Sequence, residues 1–356
     1  MTASHRNSDS TGKNAIGRWR MPPEWHPHAA CWMAWPSHTV VSGERRHEVI
    51  QELGAIAHAI AQFEPLHVAV DPAHMDEALR LLPISTTLHL MPVDDHWMRD
   101  TGPTFVFDDT MAMHAVRWNF NGWGQKLRPM PDADPRVAER VAYALGAGTA
   151  PASLVAEGGS LHVDGQGTLI VTQTSILNEN RNPGLTRREA EDVFRHWLGV
   201  NHIVWLPGSW LDVITDGHVD GAACFVRPGV LLATGTCGDD EWSRETRENL
   251  RALRLARDAC GRPFEIGLLP SPDVDALPAD VAEDPDFAPV YVNFYLPNEG
   301  VVMASFGDPA ADAHAHDIVK QAFPDRHVVQ LPLRGIARRG GGIHCCTQQQ
   351  PAAARP

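Results

Sequence analysis

EGGSLHVDGQGTLIVT, residues 157–172, reads as four consecutive parts. A polar loop with two glycines comes first, then a short apolar run, an Asp164-Gly165 turn, and a second apolar run. Asp-Gly between two apolar runs is a strong short-range signal for a β-hairpin. A helix is predicted next, at about 186–198, where Thr186 and Glu189 have capping-box spacing ahead of apolar residues three and four apart. The same order of parts recurs in both directions along the chain. It is visible in RDTGPTFVFDDTMAMHAV (99–116), GHVDGAACFVRPGVLLAT (217–234) and YVNFYLPNEGVVMAS (291–305). A fifth, less clear copy joins HAACWMAWP (28–36) to GIHCCTQQQ (342–350), from opposite ends of the sequence. The spacing is irregular, about 50–60 residues, so the recurring order carries the reading more than the period does. Repeats set about an axis would bring their strand-opening loops together at one end.

Further helices are predicted at about 44–62, 74–82, 135–146, 240–259 and 310–323. Strands are predicted at HVAV, LHLMPV, TFVF, SLHVD, TLIVT, HIVWLP, CFV, VLLAT, YVNFYL and VVMASF. Alternating strands and helices define an α/β protein. Residues 21–351 form one expected domain, with 1–20 as a polar, disordered leader and 352–356 as a flexible tail. The leader has no apolar core, so it does not read as a secretion signal.

The 356 residues are 43% hydrophobic and 21% charged, which is ordinary for a globular chain. A net charge of −14 speaks against nucleic acid or an anionic membrane as partner and mildly favours a small cation. No apolar run approaches a membrane span. Six cysteines, Cys31, Cys224, Cys237, Cys260, Cys345 and Cys346, show no Cys-x-x-Cys spacing. That pattern predicts a reducing, cytoplasmic setting rather than a disulfide framework or a zinc ribbon.

Four motifs stand on the strand-opening loops. GGGIHCC (340–346) delivers Cys345 on a glycine loop, either as a reactive thiol or as part of a strand core. GHVD (217–220) sets His218 two residues from Asp220, so a strand would point both to one face. That pair suits an acid/base beside a charge binder, or simply an exposed polar face. A metal reading lacks a third ligand at recognisable spacing. WMRDTGP (97–103) presents Asp100, and EGG presents Glu157; turn chemistry and a bulge are the plain alternatives. One thiol, one imidazole and two or more carboxylates form a set suited to guanidine hydrolysis. Carboxylates pair with a planar cation, the thiolate attacks its carbon, and the imidazole protonates the departing amine.

These motifs resemble those of the agmatine deiminase family, in the superfamily of guanidino-group-modifying enzymes and related to the bacterial type of peptidylarginine deiminase. The resemblance runs through MPPEWHPHAACWMAWP, DHWMRDTGPTFV, NFNGWGQK, EGGSLHVDGQGTLIVTQTSILNENRNPG, TDGHVDGAACFVRPG, YVNFYLPNEGVVM and GGGIHCCTQQQP. It implies a single-domain, five-bladed, pseudo-symmetric α/β propeller of the pentein type, with the site on its axis. It also implies conversion of agmatine to N-carbamoylputrescine through a cysteine thiouronium, with no metal and no organic cofactor. Carried over to this sequence, the nucleophile is Cys345, the acid/base is His218, and the guanidinium binders are Asp100 and Asp220. Glu157, Trp97, Trp123 and Asp216 are the implied substrate-binding residues, and a homodimer is implied. Two departures bear on the substrate. Val213-Ile214 stand where the family carries an acidic pair, and Arg117 stands where it carries Asp. They predict weakened recognition of agmatine's ammonium in favour of another guanidine such as arginine, a guanidino acid or an arginyl peptide. A non-catalytic binding protein of the same fold is the alternative from another class.

Overall fold

The computed structural model describes residues 19–127, 132–236 and 238–353. Cys237, nearly all of the expected leader and the last three residues of the expected tail lie outside the described residues. Packed structure starts ahead of the boundary drawn at 21, because Arg20 exchanges both backbone hydrogen bonds with Phe107 at 2.9 Å.

Each Asp-Gly or Pro-Gly turn folds two runs into an antiparallel pair, and the helix that follows returns the chain to a third, parallel strand. The first sheet holds β1 (His28–Ala34), α1 (Gly43–Ile60), β2 (Leu66–Val70), α2 (Met75–Leu81) and β3 (Thr87–Leu90). The second is β4 (Thr104–Phe107), β5 (Met113–Arg117), α3 (Val137–Leu145) and β6 (Gly148–Pro151). The third is β7 (His162–Val163), β8 (Thr168–Thr172), α4 (Arg187–Leu198) and β9 (His202–Leu206). The fourth is β10 (Ala223–Arg227), β11 (Val230–Thr234), α5 (Glu241–Leu255) and β12 (Glu265–Leu269). The fifth is β13 (Gly300–Ser305), α6 (Pro309–Ala322) and β14 (His327–Pro332), and β15 (Gln348–Pro351) returns to the first sheet beside β1. Within the three complete blades the pairs β4–β5, β7–β8 and β10–β11 are antiparallel, while β5–β6, β8–β9 and β11–β12 are parallel. The architecture is a five-bladed α/β propeller.

All six expected helices form. The capping box is complete: Thr186 Oγ1 accepts the Glu189 N–H at 3.3 Å and the Thr186 N–H donates to Glu189 at 2.9 Å. The fourth-blade helix ends at Leu255, short of the expected 259, where Asp258 gathers the N–H groups of Cys260 and Arg262 into a turn. YVNFYL is not a strand. Only Tyr295 pairs, with Val302, because the Asn293 N–H instead closes a turn onto Val290 O at 3.2 Å. The third strands β6, β12 and β14 were not expected. They lie at sheet edges with mixed exposure and show neither clean alternation nor a buried run. Among the described residues no helix is long and apolar enough to cross a membrane.

The propeller closes where β1 meets β15, with Trp32 opposite Gln348 and the Trp32 indole N–H donating to Gln350 at 2.9 Å. A buried polar knot locks the neighbouring blade to this seam. Glu64 accepts from the Tyr295 hydroxyl at 2.7 Å and the Asn298 N–H at 2.8 Å, and lies 3.0 Å from His28 Nδ1. Glu64→Ala would leave the Asn298 N–H without its acceptor and the buried Tyr295 hydroxyl and His28 Nδ1 with only each other, at 3.2 Å. Removing one partner of such a cluster costs about 3–5 kcal/mol. A urea-unfolding series should show a loss of that size, whereas a shift under about 1 kcal/mol would mean the knot is not what holds the seam.

Candidate active site

Five short backbone turns, one per blade, bring the candidate residues together. Each is closed by a hydrogen bond three residues back: Asp100 N–H to Trp97 O, Ser160 to Glu157, Gly221 to His218, Asn293 to Val290 and Cys346 to Ile343, at 3.0–3.3 Å. The turns point Asp100, Glu157, His218 with Asp220, Asn293 and Cys345 at one place, and all of these are buried. Gly159 sits among them without a side chain. A Cβ there would lie 2.6 Å from His218 Nδ1 and 3.0 Å from Asp100 Oδ1 and Asp220 Oδ2.

The Cys345 sulfur lies 3.5 Å from Asp220 Oδ2 and 3.3 Å from Asn293 Nδ2, and the Cys345 N–H donates to Asn293 Oδ1 at 3.3 Å. Burial, with Asp220 and Asp100 adding, holds the thiol well above its ordinary range. Cys346 is fully buried, and the acids that bear most on its thiol are Asp95 and Glu52 rather than Asp220. His218 Nε2 is 3.3 Å from Glu157 Oε2, and Nδ1 is 3.8 Å from Asp100 Oδ2. Burial opposes charge on this imidazole, but Asp100, Glu157 and Asp220 outweigh it and push His218 up to about 9. Asp100 receives the Gly159 N–H at 3.0 Å and the Trp123 indole N–H at 2.8 Å. Burial, with Asp220 and Glu157 adding, still lifts it above the usual carboxylate range. Asp220 stays below that range despite burial, because His344 donates to it at 2.8 Å.

The other expected binders are occupied. Glu157 is held at 3.0 Å by the fully buried Arg181, which also grips Asp216. Asp216 takes two more bonds, from Lys126 at 2.7 Å and Asn180 at 3.0 Å, so neither acid has a free carboxylate for a substrate tail. The Trp97 ring lies directly under Gly341, where a Cβ would come within 2.4 Å of it. Trp123 is buried edge-on against Phe120 while its N–H orients Asp100.

A cavity of about 930 Å³ opens from Cys345, His218, Asp220 and Asn293. Val213 and Ile214 line it, as expected, whereas Arg117 is not among its walls and spends its carbonyl on the Ala152 N–H. Its walls carry Asp212, Asp240, Glu245, Asp273, Asp275, Asp284, Asp286 and Asp308, and no Lys or Arg among the described residues. Such a field concentrates cations. The one group of three described side chains that could share a metal ion, His38, His74 and Glu77, is outside the cavity, and its Glu77 is already bound by Arg46 and Trp35.

The sequence matches the Porphyromonas-type peptidyl-arginine deiminases over residues 20–351. The chain belongs to this family. Among its relatives, the agmatine deiminase of Stutzerimonas stutzeri is 40% identical, covering 93% of this chain and 95% of that one. Agmatine deiminase of Pseudomonas aeruginosa is 39% identical, over 97% and 99% of the two chains. A solved agmatine deiminase of Enterococcus faecalis superposes with a TM-score of 0.88 at 31% identity, over 94% and 96%. This member of the deiminase family therefore keeps the fold along nearly its whole length.

Reading the sequence missed Asn293, His344, Glu24, Arg181 and Lys126 from the site. Asn293 was hidden by assigning YVNFYL to a strand, although it occupies the same turn-closing position as Asp100. His344 stands in GGGIHCC without any sign of a role, because Asp220 and Glu24, the acids it meets, are 124 and 320 residues away. The geometry around Gly159 yields a direct test. Gly159→Ala should lower kcat/KM by about a hundredfold, the scale of a 1 Å misplacement, while the melting temperature barely moves. Unchanged kinetics would show that the three side chains can yield.

Proposed function

We propose that the protein hydrolyses the guanidinium of agmatine to a ureido group and ammonia through a covalent bond to Cys345. The observation that carries the reading is a buried thiol set between Asp220 and Asn293, lining with His218 one cavity whose walls are acidic.

Asp100 and Asp220 accept the planar N–H groups of the guanidinium. Their field keeps the empty-site thiol protonated, and a bound cation cancels that field, so the thiol releases its proton to solvent and the thiolate forms when substrate is present. Its sulfur bonds to the guanidinium carbon, whose C=N π electrons shift to nitrogen, giving a neutral tetrahedral adduct. His218 delivers its proton to the departing nitrogen, the C–N bond breaks, and ammonia leaves behind an S-alkylthiouronium. The now neutral His218 takes a proton from water, and the hydroxide adds to the same carbon. Collapse forms the ureido C=O, breaks the C–S bond and passes the hydroxyl proton to the departing sulfur, which restores the Cys345 thiol. Asn293, with an amide against both the sulfur and the Cys345 backbone, holds the nucleophile's direction.

The preference for another guanidine expected from Val213, Ile214 and Arg117 is not favoured. The relatives at about 40% identity are agmatine deiminases, Arg117 is absent from the cavity walls, and those walls carry acids elsewhere. We also place the enzyme in the cytoplasm, where its described cysteines, all free, stay reduced, and propose the implied homodimer.

Cys345→Ala should abolish release of ammonia from agmatine, and Cys346→Ala should keep most of it; the reverse ranking would overturn the assignment. Asp100→Asn and Asp220→Asn each remove charge-assisted hydrogen bonds of about 1.5–3 kcal/mol, a loss of tenfold or more in kcat/KM. His218 must carry a proton to serve as acid, and its raised value keeps that proton through neutral pH. The rate with agmatine should therefore hold through pH 8 and fall as pH rises through about 9, a limb absent from His218→Asn at its residual rate. Steady-state kinetics on agmatine and 4-guanidinobutyrate should favour agmatine, and a preference for the acid would sink the substrate choice.

A further inference from the structure

His344 lies beside the reacting thiol, yet the chemistry above gives it no step. Its Nδ1 is 2.8 Å from Asp220 Oδ2 and its Nε2 is 3.0 Å from Glu24 Oε2, with all three side chains buried. A neutral imidazole has one N–H and one lone pair, so it can satisfy only one of two acceptors. An imidazolium satisfies both. The same Asp220 Oδ2 also lies 3.5 Å from the Cys345 sulfur.

We propose that His344 is a positioning residue: a standing imidazolium, anchored by Glu24, that holds Asp220 as an oriented carboxylate beside the Cys345 sulfur and the guanidinium. The inference rests on the reading of Asp220 as a guanidinium binder. Asp220 shares its surroundings with Asp100, and crowded carboxylates resist ionising together. A fixed cation on its far side lets Asp220 keep its charge before substrate arrives. His218 cycles its proton; His344 does not.

The groups facing His344 agree. Asp220 comes from the turn before β10 and Glu24 from the segment before β1. Arg99 comes from the turn before β4, and its Nε donates to the His344 carbonyl at 3.3 Å. His162 on β7 lies parallel at 6.3 Å. Burial and Arg99 disfavour charge on His344, but Glu24 and Asp220 prevail and raise it. Burial drives His162 down to about 4, so the neighbouring ring stays neutral. Burial likewise opposes charge on Glu24, yet His344 carries it well below the usual carboxylate range. Around Asp220 the remaining charges are His218, Arg99 and Asp100. Glu24 is itself fixed, because its other oxygen receives the Leu296 N–H at 3.1 Å.

The test combines two measurements on the full chain. Imidazole nitrogen shifts of labelled histidine, assigned with His344→Gln, should show His344 doubly protonated at pH 7. In Glu24→Gln it should lose that proton at lower pH. The pH profile of kcat/KM for agmatine supplies the second readout. Removing the cation raises Asp220, so His344→Gln should move the acidic limb up by at least one pH unit. That is a loss of about tenfold or more on the acidic side, shrinking toward higher pH. Glu24→Gln should move the limb the same way by less. An equal loss at every pH, or a neutral His344 at pH 7, would overturn the proposal. If His344→Gln fails to fold, the nitrogen shifts, assigned with Glu24→Gln, and that variant's limb decide it. If the wild type makes no ureido product from agmatine, the deiminase reading fails by itself, and the shifts still decide the charge on His344.

Discussion

The constraint on which the structure turns is the burial of opposite charges next to one another. An isolated ion in a protein interior is costly, and two carboxylates side by side are worse. Here the charges alternate: Glu24, His344, Asp220, then Asp100 and Glu157 about His218, then Arg181, Asp216 and Lys126. Each acid has a cation within reach and each cation has an acid. Five acids against four cations leave one negative charge in excess, which a single cation between Asp100 and Asp220 would balance. On the proposed reading, that is how the thiol is inert in the empty site and nucleophilic in the occupied one.

The propeller makes this arrangement possible because every blade begins the same way. A single closed turn precedes the first strand and fixes one side chain to within a narrow range of directions. Five such turns supply six candidate positions, the His218 turn carrying Asp220 as well. Glycine takes the positions where side chains would collide, as at Gly159 among three catalytic candidates and at Gly341 over the Trp97 ring.

Much of this was legible in the sequence. The six helices announce themselves through 3.6-residue periodicity, and the Asp164-Gly165 and Pro228-Gly229 hairpins through turn chemistry. Cys345, His218, Asp100, Asp220 and Glu157 were legible through their place on strand-opening loops. The third strand of most blades was not, because β6, β12 and β14 gain their stability from one parallel neighbour rather than from their own pattern. The charge partners were illegible for a different reason. Glu24 and His344 are 320 residues apart, and Arg181 reaches Asp216 across 35, so nothing local marks them as a pair. The same holds for Glu157 and Asp216, expected as substrate binders: the sequence shows their carboxylates but not Arg181 and Lys126, the cations that hold them.

The seam between β1 and β15 carries a kinetic consequence. Trp32 and Gln350 are separated by 318 residues, so the contact that closes the ring has nearly the largest sequence separation the chain offers. Contacts of that kind form late, since loop-closure entropy must be overcome before they stabilise anything. Cys345 and His344 lie on the segment that makes the closing contact. The four other turns can therefore take shape while the thiol is still outside, and until the ring shuts their clustered carboxylates lack one of the cations that balance them. Folding and assembly of the charge network finish in the same event, which makes a half-closed, acid-rich ring the species most exposed to misassembly or proteolysis on the way to the native state.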